Sequence, residues 1–325
     1  MPPVDRNNPK RAESSESLYS LMEFMRDFPD DATCLNWLWR TRYSADGLHA
    51  LCPKCEIETP FKRYGTAQQR QSWTCTMCGH HLHPTAGTIF HKSSTSLHLW
   101  FYAMYLMTST RCGISAKQLE RELGVTYKTA WRMFHLIRNS LMEQVDDEPL
   151  SGDVEMDETY VGGKPRGREI RAMSRAGLGP MQAGQAAGRA KKTTVFGMVQ
   201  RGGKVSAHVV PTQFQDAAFE QVEARVLPEA SIYTDEAAAY TPLEAKGYHH
   251  RRIHHAAKVY VVGDVHTNTI EGFWSLVKRG IGGTHHAVSA KHLQGYLNEY
   301  VWRYNHRDDG QAQFLSLLLR ASLPL

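Results

Sequence analysis

The stretch Val154-Glu155-Met156-Asp157-Glu158-Thr159-Tyr160-Val161-Gly162-Gly163 carries the pattern from which the fold of the rest of the chain can be argued. Apolar and acidic residues alternate at its start, and two glycines end it. A β-strand with this period of two places Val154 and Met156 on one face and Glu155 and Asp157 on the other. Acidic residues opposite a core face are either simply solvated or hold a cation.

Two further acidic positions lie far along the chain in other regular elements. The short strand Ser231-Ile232-Tyr233-Thr234-Asp235-Glu236 runs from apolar residues into an acidic end, and a later helix has Glu271 in its first turn. Three separate elements, including the strand with Asp157, therefore each offer a carboxylate, as a site for hard divalent cations requires. The chain as a whole favours a cation site over a solvated strand face.

Residues 265–279 predict an amphipathic helix. Asn268 is a possible N-cap, and Glu271 three residues later would complete a capping box, which is a purely structural role for that carboxylate. Glu271, Ser275 and Lys278 share a polar stripe, and an acid and a base on one stripe suit a metal ion with a phosphate beside it. The neighbouring apolar stripe predicts the buried face: Ile270, Phe273, Trp274, Val277 and Ile281.

Length and composition indicate a globular protein of two or three domains. The chain has 325 residues, of which 42% are apolar and 22% charged. We expect a location inside the cell without a membrane partner, because no apolar run approaches the roughly 18 residues of a membrane span and no signal peptide is visible. The net charge of +5 is compatible with a nucleic-acid partner.

Four of the six cysteines form two Cys-x-x-Cys pairs, Cys52/Cys55 and Cys75/Cys78. Pairs separated by about twenty residues can bring four thiolates to one Zn²⁺, and a closed shell of four thiolates makes the site structural. The surrounding segment is therefore predicted to be a zinc ribbon. The remaining two cysteines, Cys34 and Cys112, are expected to be small buried core residues.

Residues 114–131 have the pattern of a helix, a turn and a second helix. Gly124 ends the first helix, and Thr126 can cap the second. This pattern is typical of a helix-turn-helix, although a plain three-helix packing module has the same sequence signature. In the first case the second helix presents its exposed side chains to DNA: Tyr127, Lys128 and Arg132.

Two segments are strongly basic. Residues 164–192 hold eight Lys or Arg and one acidic residue but few large apolar ones, so we expect a flexible insert that is solvated when free or contacts phosphates when DNA binds. The second segment is a histidine-rich run whose members either bind metal or form a nucleic-acid or solvent face: His249, His250, Arg251, Arg252, His254 and His255.

Taken together, these motifs resemble those of a known family, the IS1595 (ISXO2-like) insertion-sequence transposases. The resemblance runs from about residue 25 to about residue 310, and the matching motifs occur in order: Cys52-Pro-Lys-Cys55, Gly87-Thr-Ile-Phe90, Val154 to Gly163 as quoted above, Tyr233-Thr-Asp-Glu236, His266-Thr-Asn-Thr-Ile-Glu-Gly-Phe-Trp274 and Arg303-Tyr-Asn305. The insert at 164–192 matches a variable region, so no function is carried over to it.

The resemblance implies an α/β protein in which a ribonuclease-H-like catalytic domain, a mixed sheet with helices, follows a zinc ribbon and a helix-turn-helix-like region. Asp157, Asp235 and Glu271 match the DDE triad of such enzymes, and Lys278 stands where they often carry a basic residue. The expected organisation is a disordered start (1–16), a short helical segment (17–50), the zinc ribbon (51–92), the helix-turn-helix region (93–148) and the catalytic domain (149–325).

The function implied is that of a DNA transposase that cuts and joins phosphodiester bonds at insertion-sequence ends. The triad would hold two Mg²⁺ or Mn²⁺ ions roughly 3.5–4 Å apart, for activation of the attacking oxygen and stabilisation of the leaving one. Lys278 and Arg279 would contact the DNA. Glu155 and Glu158 flank Asp157 and would support the metal ligands without binding the metal themselves. The partners implied are element ends, target DNA and further copies of the chain, in the cytoplasm of a bacterial-type cell.

Two other functions remain open from the sequence. One is a DNA-binding regulator that keeps the zinc ribbon and helix-turn-helix but has an inactive catalytic domain. The other is a ribonuclease-H-type nuclease that cleaves without joining strands.

Overall fold

The computed structural model describes residues 19–65, 71–110, 112–143, 148–162, 167–210, 214–235, 240, 242–252, 266–309 and 312–325. It divides the chain into two compact units. The first contains the described parts of Met1–Arg111, Ala116–Leu141 and Asp308–Leu325, and the second those of Cys112–Ser115 and Met142–Arg307. The expected disordered start, the acidic pair at 146–147, His254 and His255 lie outside the described residues.

The first unit is mainly helical. Ser20 caps its first helix with a complete capping box, Asp30 caps the second, and Thr126 caps the fifth as predicted, just after Gly124 takes a positive φ of 64°. A π-helical turn, Ile137–Leu141, continues the fifth helix. The helices of this unit are α1 (Leu21–Asp27), α2 (Asp31–Arg42), α3 (Leu97–Ser109), α4 (Ala116–Leu123), α5 (Tyr127–Leu136) and, at the end of the chain, α12 (Gln313–Ser322).

A four-stranded antiparallel sheet packs against the helices of the first unit. Its strands follow one another in order: β1 (His49–Leu51), β2 (Glu58–Tyr64), β3 (Ser72–Cys75) and β4 (His81–Leu82). The rings of Trp39 on α2 and Trp73 on β3 stack at 4.7 Å with only 4° between their planes. This stacked pair attaches the small sheet to the helical core, and large buried aromatic side chains contribute strongly to such contacts.

The last helix of the chain belongs to the first unit. Phe314 of α12 contacts the rings of Phe24, Phe28 and Tyr105, which come from the first and third helices and the turn between α1 and α2. All of 149–325 was expected to form the catalytic domain, whereas the described residues of Asp308–Leu325 belong to the first unit. The apolar face of α12 is buried in this aromatic cluster, and no local pattern specifies which domain supplies that cover.

The second unit is built on a five-stranded mixed sheet with the order β7-β6-β5-β8-β9. Its first three strands in this order are antiparallel, and β8 and β9 run parallel to β5. The strand β9 falls on the basic histidine-rich run, for which no strand was predicted. The strands are β5 (Asp153–Val161), β6 (Thr193–Gln200), β7 (Val205–Val209), β8 (Ser231–Thr234) and β9 (His249–Arg252).

Both faces of the central strand β5 are covered. Val154 and Met156 lie in a core with helix α8 (Phe214–Arg225), while the opposite face packs against α10 (Asn268–Gly280) and α11 (Ala290–Asn305). The side chain of Glu155 is 0% exposed as a result. The interpretation of this acidic face as merely solvated is therefore wrong for Glu155, because a strand in the middle of a sheet with helices on both sides has no face left for water.

The basic insert between β5 and β6 contains two helices, α6 (Gly167–Arg175) and α7 (Pro180–Lys191), which contact one another. The sequence predicted a flexible insert with too few large apolar residues to pack, so these two helices were not expected. Ala183 and Ala187, four residues apart on α7, are buried. Alanine has the highest helix propensity, and its small side chain lets helices approach closely, so large apolar residues are not needed for this contact. A further short helix, α9 (Pro242–Ala245), precedes β9.

The two unpaired cysteines differ in their surroundings. Cys34 is fully buried on α2, as expected, but Cys112 is exposed. The prediction of a core position for Cys112 is wrong: Cys112 belongs to a short segment of the second unit, and its main-chain carbonyl rather than its thiol makes the contacts. The Tyr300 hydroxyl and the Thr284 hydroxyl both donate to the carbonyl oxygen of Cys112, each at 3.2 Å.

Two glycines on α10 make a matched test of the packing between α10 and α11. A Cβ on Gly280 would overlap the Tyr300 ring and hydroxyl, whereas one on Gly272 would meet nothing within 4 Å. We expect Gly280→Ala to destabilise the protein by about 1–3 kcal/mol through overpacking. Gly272→Ala should instead stabilise it by up to about 1 kcal/mol, because alanine favours the helix. Urea unfolding of both variants measures the difference, and equal effects would contradict the close approach.

Candidate active site and zinc centre

Asp157 and Asp235 are neighbours on one face of two parallel strands, Asp157 in the middle of β5 and Asp235 just after the end of β8. Glu155 of β5 pairs with Tyr233 of β8 in the parallel register, so the residues two positions further on, Asp157 and Asp235, lie side by side on the same face. Asp235 comes immediately after the last residue of β8. The parallel pairing of β5 and β8 thus brings together two of the three predicted acids, although they are 78 positions apart in the sequence.

The environment of Asp157 disfavours its charge. Burial raises the pKa of this carboxyl, and the negative charges of Glu158 and Asp235 raise it further, to about 7, while the indole of Trp274 acts weakly in the opposite direction. A positive charge at this position would relieve both the repulsion and the desolvation, so the electrostatics suit a metal ligand.

A glycine on the neighbouring strand shapes the wall of the site. Asp157 pairs across the antiparallel ladder with Gly197 of β6. A Cβ at Gly197 would overlap the ring of Trp274 and lie 3.1 Å from Ile270, so only glycine lets α10 approach the sheet this closely. Trp274 consequently lies against the sheet beside Asp157.

Glu271 lies in the first turn of α10 and its side chain is exposed. Its carboxylate accepts a hydrogen bond of 3.3 Å from the Thr267 hydroxyl. The predicted capping box is wrong: the helix begins at Asn268, Thr267 occupies the N-cap position, and no side chain within the segment caps it. Glu271 is therefore free of the structural role that competed with a metal-binding one.

The cap of α10 comes from β5 instead. The Glu155 carboxylate accepts hydrogen bonds from the main-chain N–H groups of Thr269 at 2.8 Å and Ile270 at 3.0 Å. It also accepts one from the Thr269 hydroxyl at 2.9 Å. A carboxylate at this position satisfies helix-terminal donors and interacts favourably with the helix dipole. Glu155 and Asp157 share one strand face, so this contact also places the first turn of α10 near Asp157.

The three predicted acids are not drawn together as tightly as a single-ion cluster. Among the described residues, the cysteine group discussed below is the only set of three or more potential ligands whose atoms all lie within 4.8 Å of one another. Asp157 and Asp235 come together, and Glu271 stands on the helix that faces them. Lys278 and Arg279 are exposed in the last turn of α10, where Arg279 donates to the Ser275 carbonyl at 3.3 Å.

Two side chains near these acids were missed in the sequence. The buried Tyr240 hydroxyl donates to Glu158 at 2.6 Å, and burial together with the charge of Glu158 raises the pKa of Tyr240 well above its usual value. Arg201 donates to the buried Glu155 at 2.8 Å. No local signal in the sequence marks Arg201, because its partner lies 46 positions away along the chain.

The four paired cysteines meet at one point in the first unit. The sulfurs of Cys52 and Cys78 are 3.6 Å apart, and those of Cys55 and Cys75 are 4.0 Å apart. In a tetrahedral site with Zn–S bonds of about 2.3 Å, the sulfurs lie about 3.8 Å apart, so this group fits one zinc ion. Gly79, directly after the second pair, has a positive φ of 73°.

The equivalent turn after the first pair is made by a non-glycine residue. Glu56 takes a φ of 58°, and its N–H donates to the Cys52 carbonyl at 2.8 Å, as the N–H of Gly79 does to the Cys75 carbonyl at 3.0 Å. The two knuckles therefore have the same backbone shape. Thr59 adds a hydrogen-bonding contact of 3.2 Å between its hydroxyl and the Cys75 sulfur, which together with nearby main-chain N–H groups lowers the pKa of that thiol to about 6.

The side chains predicted to meet DNA lie on an exposed face of α5. Tyr127, Lys128 and Arg132 are all exposed, and Trp131, which the sequence analysis did not single out, is 36% exposed between them. Lys117 of α4 stands 5.7 Å above the Tyr127 ring. The opposite face is buried through Ala130, Met133 and Phe134. The face thus combines basic and aromatic groups, as nucleic-acid-binding helices do.

Comparison with known proteins identifies the class as a transposase. Residues 149–305 match the model of the ISXO2-like transposase domain. A protein of Halobacterium salinarum, described as an uncharacterized protein in transposable element ISH50, is 32% identical over 288 residues, which cover 86% of this chain and 92% of that protein. The chain therefore belongs to the ISXO2-like (IS1595) transposase family. No helix in the described part of the chain is long and apolar enough to cross a membrane.

We expect the cysteine group to bind one Zn²⁺ per chain and to stabilise the small sheet. Cys75→Ser should reduce the zinc content by more than half and destabilise the first unit by several kcal/mol, because metal-binding energy is folding energy in such small segments. Metal analysis of purified protein and thermal unfolding measure both effects. Cys112→Ser is the matched control, and a Cys75→Ser variant with a full equivalent of zinc would contradict the assignment.

The raised pKa of Asp157 predicts a pH-dependent stability in protein without added divalent cations. The folded state binds this proton more tightly than the unfolded state, whose pKa is about 3.8. Stability should therefore fall as pH rises from about 4 to about 7. Asp157→Asn should remove this dependence and stabilise the protein at pH 8 by about 1–4 kcal/mol. Urea unfolding at several pH values tests it. The exposed Glu229→Gln is the control, and an unchanged profile for Asp157→Asn would contradict the shift.

Proposed function

We propose that the second unit is a ribonuclease-H-like DDE catalytic domain that cleaves and joins phosphodiester bonds at the ends of an insertion sequence. The observation that carries this proposal is the parallel register of β5 and β8, which sets Asp157 beside Asp235 with Glu271 on the facing helix. The mixed sheet covered by helices on both faces supports the fold assignment. Membership of a transposase family supports the reaction class.

In this proposal Asp157, Asp235 and Glu271 hold two divalent cations, Mg²⁺ or Mn²⁺. When bound, such a pair of ions supplies activation of the attacking oxygen and stabilisation of the leaving oxygen in an in-line displacement. The chain's own part is to provide three carboxylates from rigid elements. Asp157 gives up its proton when the cations bind, since a nearby positive charge lowers a carboxyl pKa. No covalent bond between protein and DNA is required.

Lys278 and Arg279 are proposed to hold the DNA backbone beside the acids. Lys278 follows Glu271 by seven residues on the same face of α10, which corresponds to about 10 Å along the helix axis. That separation lets an exposed ammonium group bind a phosphate next to the one being cleaved. Charge-assisted contacts of this kind fix the position of the substrate without reading its sequence.

Recognition of the element ends is proposed to lie in the first unit. The exposed basic and aromatic face of α5 follows a glycine-containing turn after α4, as the second helix of a helix-turn-helix would. The zinc ribbon would add further contacts to DNA. We propose that two or more copies of the chain assemble on DNA, because a mobile element has two ends that must be processed together.

Substitution of the acids tests the catalytic proposal. Asp157→Asn, Asp235→Asn and Glu271→Gln should each reduce Mg²⁺-dependent cleavage of end DNA by at least about 100-fold, since each removes a metal ligand. End binding should change little. Glu271→Gln is the most informative variant, because Glu271 does not cap α10. Gel assays of cleaved and joined DNA provide the measurement.

The matched control for Glu271 is Glu220→Gln, an exposed glutamate on α8 at the other face of the sheet. Full cleavage by Glu271→Gln would reject the triad. Wild-type protein that binds end DNA but never cleaves it would favour the regulator, and cleavage without any joined product would favour the nuclease.

Substitution of the α5 face tests the DNA-binding proposal. The double variant Lys128→Ala/Arg132→Ala should weaken binding to end DNA about tenfold or more. If both residues contact phosphates, it should also lower the slope of log affinity against log salt by up to about 1.8, since each contact contributes about 0.9. Fluorescence anisotropy at several salt concentrations measures both. The control is Lys246→Ala, at an exposed position in the second unit. Unchanged DNA binding by the α5 variant would support the alternative, in which α4 and α5 only form part of a helical packing module.

A further inference from the structure

We propose that Arg201, through the buried Glu155, is the positioning residue that holds the three acid-bearing elements of the second unit in register. This inference rests on the proposed function, because it assigns a role relative to Asp157, Asp235 and Glu271. Arg201 touches none of these acids in the contacts described below. It contacts instead a residue next to or near each of them, on β5, on β8 and at the start of α10.

The first contact is with β5. The Nε of Arg201 donates to Glu155 Oε1 at 2.8 Å, and Glu155 is completely buried two residues before Asp157. The main-chain N–H of Arg201 also donates to the Asp153 carbonyl at 2.9 Å. Both the backbone and the side chain of Arg201 are thus tied to the first half of β5.

The second contact is with β8. The Arg201 guanidinium lies 4.2 Å from the centre of the Tyr233 ring, two residues before Asp235. The Tyr233 hydroxyl in turn donates to Asp153 at 3.1 Å, and Arg201 Nη1 lies 3.9 Å from the same carboxylate. The stacked cation fixes the strand laterally, because a planar guanidinium binds an aromatic face and a carboxylate at once.

The third contact is with the start of α10. Arg201 Nη2 donates to the carbonyl oxygen of His266 at 2.8 Å, just before the helix begins. Glu155 completes the connection by capping the N–H groups of Thr269 and Ile270, directly before Glu271. The His266 Nδ1 atom lies 3.1 Å from Glu155 as well. One arginine–glutamate pair therefore contacts every element that carries a predicted metal ligand.

The local fold makes the placement of Arg201 specific. Arg201 is the first residue of the tight turn between β6 and β7, in which Gly202 has a φ of 70° and the Gly203 N–H donates to Gln200 at 2.9 Å. A buried ion pair adds little net stability, because desolvation offsets the attraction. Its larger effect is geometric, since the guanidinium fork satisfies several acceptors in fixed directions.

The experiment compares two substitutions of Arg201 with a matched arginine in the same unit. Arg307 donates to the carbonyl of Gly203 in the same turn at 3.1 Å, lies 4.0 Å from the Tyr304 ring and is exposed. The variants are Arg201→Met, Arg201→Lys and the control Arg307→Met. The probe is Mn²⁺, whose binding to the zinc-loaded protein is measured by electron paramagnetic resonance without DNA.

We expect Arg201→Met to weaken Mn²⁺ binding by about 10–100-fold, the usual effect of losing a group that orients metal ligands. Arg201→Lys should lie between it and the wild type, because lysine keeps the charge beside Glu155 but loses the forked contact with His266. Cleavage by both variants should recover at high Mn²⁺ concentration. Arg307→Met should bind Mn²⁺ as the wild type does, with any effect confined to its melting temperature.

Wild-type Mn²⁺ affinity in folded Arg201→Met would overturn the proposal, and so would an equal loss in Arg307→Met. If Arg201→Met does not fold, Arg201→Lys decides: unchanged affinity overturns the role and a several-fold loss supports it. Asp157→Asn separates the two proposals. If it binds Mn²⁺ like the wild type, the metal site itself is wrong, and the role of Arg201 fails with it.

Discussion

The second unit depends on one buried charge, the carboxylate of Glu155. An ionised group with no exposure is tolerated only where hydrogen bonds and opposite charge replace water. Here the donors are the first N–H groups of α10 and the guanidinium of Arg201. These hydrogen bonds hold the first turn of α10 against β5. They also direct the side chain of Arg201, at the β6–β7 turn, toward Glu155.

Asp157 lies on the same face of β5 as Glu155, but its surroundings differ. Glu155 is surrounded by donors, whereas Asp157, two residues later, is surrounded by Glu158, Asp235 and apolar groups. Burial and the neighbouring negative charges raise the pKa of Asp157 to about 7. Glu155 thus has hydrogen-bond donors that hold α10 in place, whereas Asp157 has the surroundings that the proposed metal-binding role requires.

The first unit contains a small sheet that has little hydrophobic core of its own. Four short strands bury few side chains, and the four-cysteine group between their turns has the sulfur spacing of a zinc site. The stacked Trp39 and Trp73 rings attach this sheet to the helices. The terminal helix α12 covers the aromatic cluster of the same unit, so the two ends of the described chain share one core.

The sequence by itself determined the features that depend on local spacing. The cysteine pairs, the turn at Gly124 with its cap at Thr126, and the two strands around Asp157 and before Asp235 all follow from residues that are close together in the sequence. The family also followed from ordered motifs. Only the tertiary structure decided that Asp157 and Asp235 are neighbours, that Glu155 rather than Asn268 caps α10, and that α12 folds with the first unit. The tertiary structure also shows that the basic insert contains helices and that Cys112 is exposed. These outcomes depend on strand register and on which surface covers another, and such long-range choices are made by the packing of the whole chain rather than by any short segment of it.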